Sequence, residues 1–213
     1  MDPHRTARPM IAEPRQRPAL PDWQAHEWLN TPAPVTLQAL RGRVVLLHTF
    51  QMLCPGCVAH GLPQAERVWR AFPREQVAVV GLHTVFEHHA VMTPEALRAF
   101  VHEYGWSFPI GVDVPADAGA VPLTMARYGL RGTPTHLVLD ARGRVALHHF
   151  GSLDDLVLGA AVGSLLAEVQ GTRSGAAAAV PDLAPNTAEA ASACSAGTCE
   201  PVGAAGQTGA GRW

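Results

Sequence analysis

The stretch FQMLCPGCVAHGLPQ, residues 50–64, sets Cys54 and Cys57 three positions apart, with Pro55 and Gly56 between them. Two thiolates at this spacing can close a disulfide or hold one face of a soft-metal ion, and the flanking chain decides which. Ahead of the pair, RVVLLHTF (43–50) is a β-branched, leucine-rich run of the kind that a central strand buried on both faces needs. Behind it, Val58, Leu62, Ala65, Val68, Trp69 and Phe72 fall at helical spacing. The cysteines therefore sit where a strand passes into a helix, and Pro63 is expected to kink that helix.

The pattern continues in alternation. QVAVVGLHT (76–84) reads as a second buried strand. A helix begins after Thr93, which can cap it, with Pro94 at the first helical position and Glu95 in the first turn, and Gly105 stops it. SFPIGVD (107–113) is a short extended piece, followed by a small helix around Pro122–Tyr128. HLVLD then turns through ARGR into VALHHF, a hairpin signal, and a final helix is predicted from Ser152 to about Val169. The adjacent pairs His88–His89 and His148–His149 read as surface or loop residues, because neighbours in an extended segment point to opposite sides.

These elements bound one α/β domain at residues 22–170 of the 213-residue chain, enough for its own core. Residues 1–21 hold five prolines and no apolar periodicity, and residues 171–213 are mostly Ala, Gly, Ser, Thr and Pro, so both ends are expected to be disordered. A formal net charge of −2 leaves no footprint for nucleic acid or an anionic membrane. The opening MDPHRTARPMIAEPRQRP has no apolar run resembling a signal peptide, and no stretch approaches about 20 apolar residues. The expected setting is cytoplasmic, where cysteines serve catalysis or metal binding more often than structural disulfides.

Physical chemistry ranks the two thiols. A helix N-terminus presents unpaired N–H groups and partial positive charge, which favour an anion placed there. Cys54 occupies that position and is the expected nucleophile; Cys57, one turn further in, is the expected resolving thiol. Pro55 removes one backbone donor and, with Gly56, tunes the turn.

The strand–helix order, TFQMLCPGC at the strand-to-helix turn and GTPT at 132–135 together resemble the thioredoxin fold, a central mixed sheet flanked by helices. The opening WLNTPAPVTLQALRGRVVLLHTF and the insert between 84 and 121 resemble its TlpA and DipZ-type thiol-disulfide oxidoreductases. The resemblance covers about 150 residues. It implies a cis Pro134 that presents the backbone of Thr133 to an extended substrate, a protein or small-molecule disulfide as client, an upstream thiol reductant, and no cofactor. It also places His48 where thioredoxins carry a buried aspartate that moves protons to the inner cysteine. A histidine there can do the same, or can be a neutral core residue.

Two other readings stand beside this one. Peroxiredoxins share the fold, but their pattern has a threonine three residues before the reactive cysteine, where this chain has Gln51. A zinc or soft-metal module would use four thiolates. The second pair, Cys194 and Cys199 in ACSAGTCEP (193–201), follows a 23-residue linker, Gly171–Ala193. Such a linker spans about 26 Å r.m.s., against a radius of gyration near 15 Å for the domain. The tail dithiol can thus reach Cys54 as a redox relay at an effective concentration on the order of millimolar. A metal clip or a functionless tail are its alternatives.

Overall fold

The computed structural model describes residues 11–116 and 121–177. Six strands form one sheet: β1 (Ala25–Leu29), β2 (Val44–Phe50), β3 (Val77–His83), β4 (Ile110–Asp113), β5 (Thr135–Leu139) and β6 (Val145–Phe150). Their order is β1-β4-β3-β2-β5-β6. The β2–β3 and β3–β4 pairs are parallel; β1–β4, β2–β5 and β5–β6 are antiparallel.

The two central strands are buried at every position, as their unbroken apolar runs require. On one face, Leu46, Phe50, Val79 and Ile110 pack under α1 (Leu62–Ala71), α2 (Pro94–Tyr104) and α4 (Asp155–Ala177) through Leu62, Leu97, Leu158 and Val162. On the other, Val45, Leu47, Val80 and Leu137 pack under α3 (Leu123–Arg127) and Trp23, Leu37 and Leu40. The mixed sheet flanked by helices is the thioredoxin-like architecture that the resemblance implies. Among the described residues no helix is long and apolar enough to cross a membrane.

The termini of the elements follow local chemistry. Thr93 accepts from the Ala96 N–H and Gly105 closes α2 in the left-handed conformation at φ 67°. The last helix starts later than Ser152, because the Asp154 carboxylate accepts from the N–H groups of Leu156 and Val157 and caps it there. It runs past residue 170 to Ala177, beyond the expected domain boundary.

The N-terminal boundary also differs. Residues 11–21 fall in the segment expected to be disordered, yet they run along the outer edge of β6: Ala12 N–H donates to the Ala146 carbonyl and Val145 N–H to that of Pro18. The Arg17 guanidinium is buried against Asp140 at 3.4 Å and Glu168 at 2.7 Å, which ties this segment to the hairpin and to α4. The ordered body therefore includes residues ahead of 22. Cys194 and Cys199 lie outside the described residues.

Candidate active site

β2 delivers the chain to the sheet's central edge, and MLCPGC turns it into a helix. Cys54 N–H donates to the Gln51 carbonyl at 3.3 Å, and the Cys54 carbonyl accepts from the N–H groups of Cys57 and Val58 at 3.0 and 3.1 Å. The Cys57 N–H also points at the Cys54 sulfur, 3.2 Å away. Cys54 is half-buried and Cys57 fully buried, and both are free thiols.

Proline at 63 shapes the turn that carries Cys57. It has no N–H, and in a regular helix its ring would meet the carbonyl four residues back. The chain answers with a widened turn over Cys57–Gly61, in which the Leu62 N–H reaches back five residues to the Cys57 carbonyl. The expected kink at Pro63 takes this form, and Pro63 itself sits in the first turn of α1.

Gly61, at the end of that turn, lies against the buried imidazole of His48: a Cβ there would collide with His48 Cε1 and Nε2. His48 has no exposure, and neither ring nitrogen has a hydrogen-bond partner, Cys57 included. Burial, then the neighbouring His136 ring at a centroid distance of 4.7 Å, holds His48 well below its ordinary range, so its imidazole is neutral at physiological pH. His136 and His83 are also buried without partners on the same face, and burial lowers each to about 4.

The loop before β5 closes the other side of the turn. The Thr133–Pro134 peptide is cis. The Cys54 thiol donates to the Thr133 carbonyl at 3.5 Å, and Gly56 lies so close to Pro134 that a Cβ would stand 3.3 Å from its Cδ. Thr135 Oγ1 holds the Gly132 carbonyl at 2.7 Å, and the Gly151 N–H holds that of Pro134 at 2.8 Å. The structure thus gathers Cys54, Pro55, Gly56, Cys57, Thr133 and Pro134 at one place, with His48 beneath.

Electrostatics separate the two sulfurs. Burial pushes the Cys57 thiol up to about 12, and the hydrogen bond that it donates to the Cys54 sulfur adds to the shift. Cys57 is a thiol at neutral pH.

Sequence reasoning missed three contributors. Gln51, read only as the residue standing in a threonine's place, is buried; its amide accepts from the Phe86 N–H and donates to Glu87 at 3.3 Å, pinning the loop after β3 to the cysteine turn. Gly61 admits His48. Phe150 packs on Gly132, where a Cβ would lie 2.9 Å from the ring. Each depends on partners 13 to 36 residues away, which helical or strand periodicity does not reveal. Among the described residues no three His, Cys, Asp or Glu side chains are grouped to hold a metal ion.

A family model described as AhpC/TSA matches residues 18–148, from the segment along β6 through both cysteines and the cis-proline loop into β6. The chain belongs to the AhpC/TSA family. Its similarity to DipZ and to the thiol-disulfide oxidoreductase ResA supports the TlpA and DipZ-type branch. It is 30% identical over 166 residues to Protein DipZ of Mycobacterium tuberculosis, covering 76% of this chain and 23% of DipZ. This AhpC/TSA chain therefore spans about a quarter of the length of that relative. Among solved structures it is similar to a thioredoxin-like superfamily protein, with 53% identity, a TM-score of 0.68, and coverage of 70% of this chain and 96% of that one. A thiol-disulfide isomerase from Corynebacterium glutamicum is 48% identical with a TM-score of 0.68, over 71% of this chain and 97% of that one.

Proposed function

We propose that the chain is a thiol-disulfide oxidoreductase that reduces client disulfides through Cys54 and Cys57. The observation that carries the reading is the asymmetry of the pair: a half-exposed Cys54 sulfur receiving the Cys57 N–H at 3.2 Å, and a buried Cys57 held as thiol. The Cys54 thiolate attacks one sulfur of the substrate disulfide, forming a mixed disulfide and releasing the first substrate thiolate. The Cys57 thiol then gives up its proton and attacks Cys54 Sγ. The enzyme disulfide forms, the second substrate thiolate leaves, and two electrons have passed to the client. A thiol reductant resets the pair by the reverse exchange.

The cis-proline loop supports the same reading, since it sets the half-buried Thr133 backbone beside Cys54, where an extended substrate segment can pair with it. His48, neutral and without hydrogen bonds, is best suited to shaping the turn under Cys57. Reduction as the working direction goes with a cytoplasmic setting.

The tail dithiol belongs to the proposal as a relay: Cys194 and Cys199 hand reducing equivalents from the upstream reductant to the Cys54–Cys57 disulfide. One experiment tests both parts. Reduction of insulin disulfides should be lost in Cys54→Ser whatever the reductant, whereas Cys194→Ser/Cys199→Ser should be slow with the cell's own reductant and normal with dithiothreitol. Cys54-dependent consumption of hydroperoxide without insulin reduction would replace exchange with the peroxidase reading. A double tail variant matching the parent with both reductants would remove the relay.

A further inference from the structure

The rim of the cysteine turn is charged, and the two signs stand on opposite sides. β2, which ends at the turn, lies between β3 and β5 in the sheet. The loop leaving β3 carries Glu87, exposed and held by the Gln51 amide, whose own backbone carbonyl takes the Cys54 N–H. The loop entering β5 carries Arg131, exposed, two residues ahead of Thr133, with its guanidinium 5.3 Å from the centre of the Phe150 ring. Phe150 is 44% exposed and braces Gly132, so Arg131 is presented by a fixed aromatic plate. Among the described residues neither Glu87 nor Arg131 takes part in an ion pair. Leu53, the residue before Cys54, is 57% exposed and adds an apolar side chain to the turn.

Strands are about 4.8 Å apart, so the loops after β3 and before β5 are separated by about 10 Å, and the side chains reach further. An extended peptide advances about 3.3 Å per residue. A substrate segment that crosses the turn from the β5 loop to the β3 loop with its cysteine at Cys54 would bring the residues roughly two positions to either side under the two charges. On such a path the Thr133 backbone lies beside the reactive cysteine, and the rim charges would set the direction of the segment.

We propose that Arg131 and Glu87 select and orient the substrate: an extended segment with an acidic side chain on the Arg131 side of its reactive cysteine and a basic one on the Glu87 side. The inference rests on the exchange reading and names the class of client for that site. It makes Arg131 and Glu87 specificity residues that act on substrate binding, not on the sulfur chemistry.

The test uses the full chain and three short peptides, each carrying one cysteine as a mixed disulfide with 2-mercaptoethanol. One has Glu two residues before and Lys two residues after the cysteine, the second has the order reversed, and the third is neutral. The parent protein should reduce one charged peptide at least fivefold faster than the other in kcat/KM, with the difference in KM. The preference should invert in Arg131→Glu/Glu87→Lys and fall below twofold for the parent in 0.5 M NaCl, where screening is strong. Charged peptides within a factor of two of each other at low salt, or a preference that neither inverts nor yields to salt, would overturn the assignment. If the swapped variant does not fold, Arg131→Gln decides: it should at least halve the preference, and an unchanged ratio rejects the rim. The neutral peptide keeps the two readings apart. No Cys54-dependent reduction of it would overturn the exchange function itself, whereas its reduction with no charge preference overturns only the rim.

Discussion

Cys57→Ser is expected to stop turnover after the first exchange, with client reduction falling by about 10³-fold or more and a mixed disulfide accumulating through Cys54. The geometry gives the reason. Cys54 keeps its half-exposed position and the N–H at residue 57, both of which survive the substitution. The serine hydroxyl cannot displace the substrate thiolate, so the intermediate has no intramolecular exit. Cys54→Ser should lose a similar factor without trapping anything, because the buried thiol at 57 is neither ionised nor reachable. Non-reducing electrophoresis with mass analysis of the adduct separates the two outcomes, and a Cys57→Ser protein that turns over normally would contradict the division of labour.

The second large effect concerns stability in acid. His83 and His136 are buried without hydrogen-bond partners and titrate near 4, and His48 lies well below its ordinary range. In the unfolded chain each would titrate near 6.5. The folded-state values are depressed, so the stability they contribute is present above pH 6.5 and is lost as pH falls toward 4, because the unfolded chain takes up protons that the fold refuses. At about 1.4 kcal/mol per unit, each of His83 and His136 costs about 2 kcal/mol by pH 5. Against a total of about 5–15 kcal/mol for a domain, that is a large loss. The lowered carboxylates, Glu66 and Asp155, exert their effect mainly below about pH 5, and burial raises the Asp113 carboxyl, which works in the opposite direction, so a fall in stability between pH 6.5 and 5 is the imidazoles' signature. Urea midpoints measured across that window should fall steadily and fall less in His136→Leu. A flat profile would mean that these rings find partners or charge in place.

Much of the fold was legible because its signals are local. The unbroken apolar runs of β2 and β3 require burial on both faces, and the Thr93–Pro94 start and Gly105 stop of α2 are written in adjacent residues. The parts that escaped reading depend on remote partners. β1 is short and half-buried, with His26 and Glu27 inside it, and becomes a strand only because β4 lies alongside. Residues 11–21 look like a proline-rich tail, yet the open edge of β6 and the carboxylates of Asp140 and Glu168 give them a seat.

The site divides in the same way. The placement of Cys54 and Cys57 at the strand-to-helix turn follows from the flanking pattern, while the approach of Thr133 and Pro134 came from the resemblance and not from spacing. The widened turn at Cys57–Gly61 has a local cause in Pro63, but its fit to His48 is set by a glycine and a ring thirteen residues apart. The histidine row was invisible for a further reason: His48 and His136 meet only through the antiparallel register of β2 and β5.

The most direct measurement of the central claim, that Cys54 attacks and Cys57 waits, is alkylation of the reduced protein with iodoacetamide at pH 7, read by peptide mass for each cysteine. A thiol titrating near 12 is ionised to about one part in 10⁵ at that pH, against a few per cent for a free cysteine, and Cys57 is also shielded. The account predicts Cys54 fully modified while Cys57 remains untouched, with rates differing by at least about 10³-fold. Modification of Cys57 first, or of both at equal rates, would contradict it.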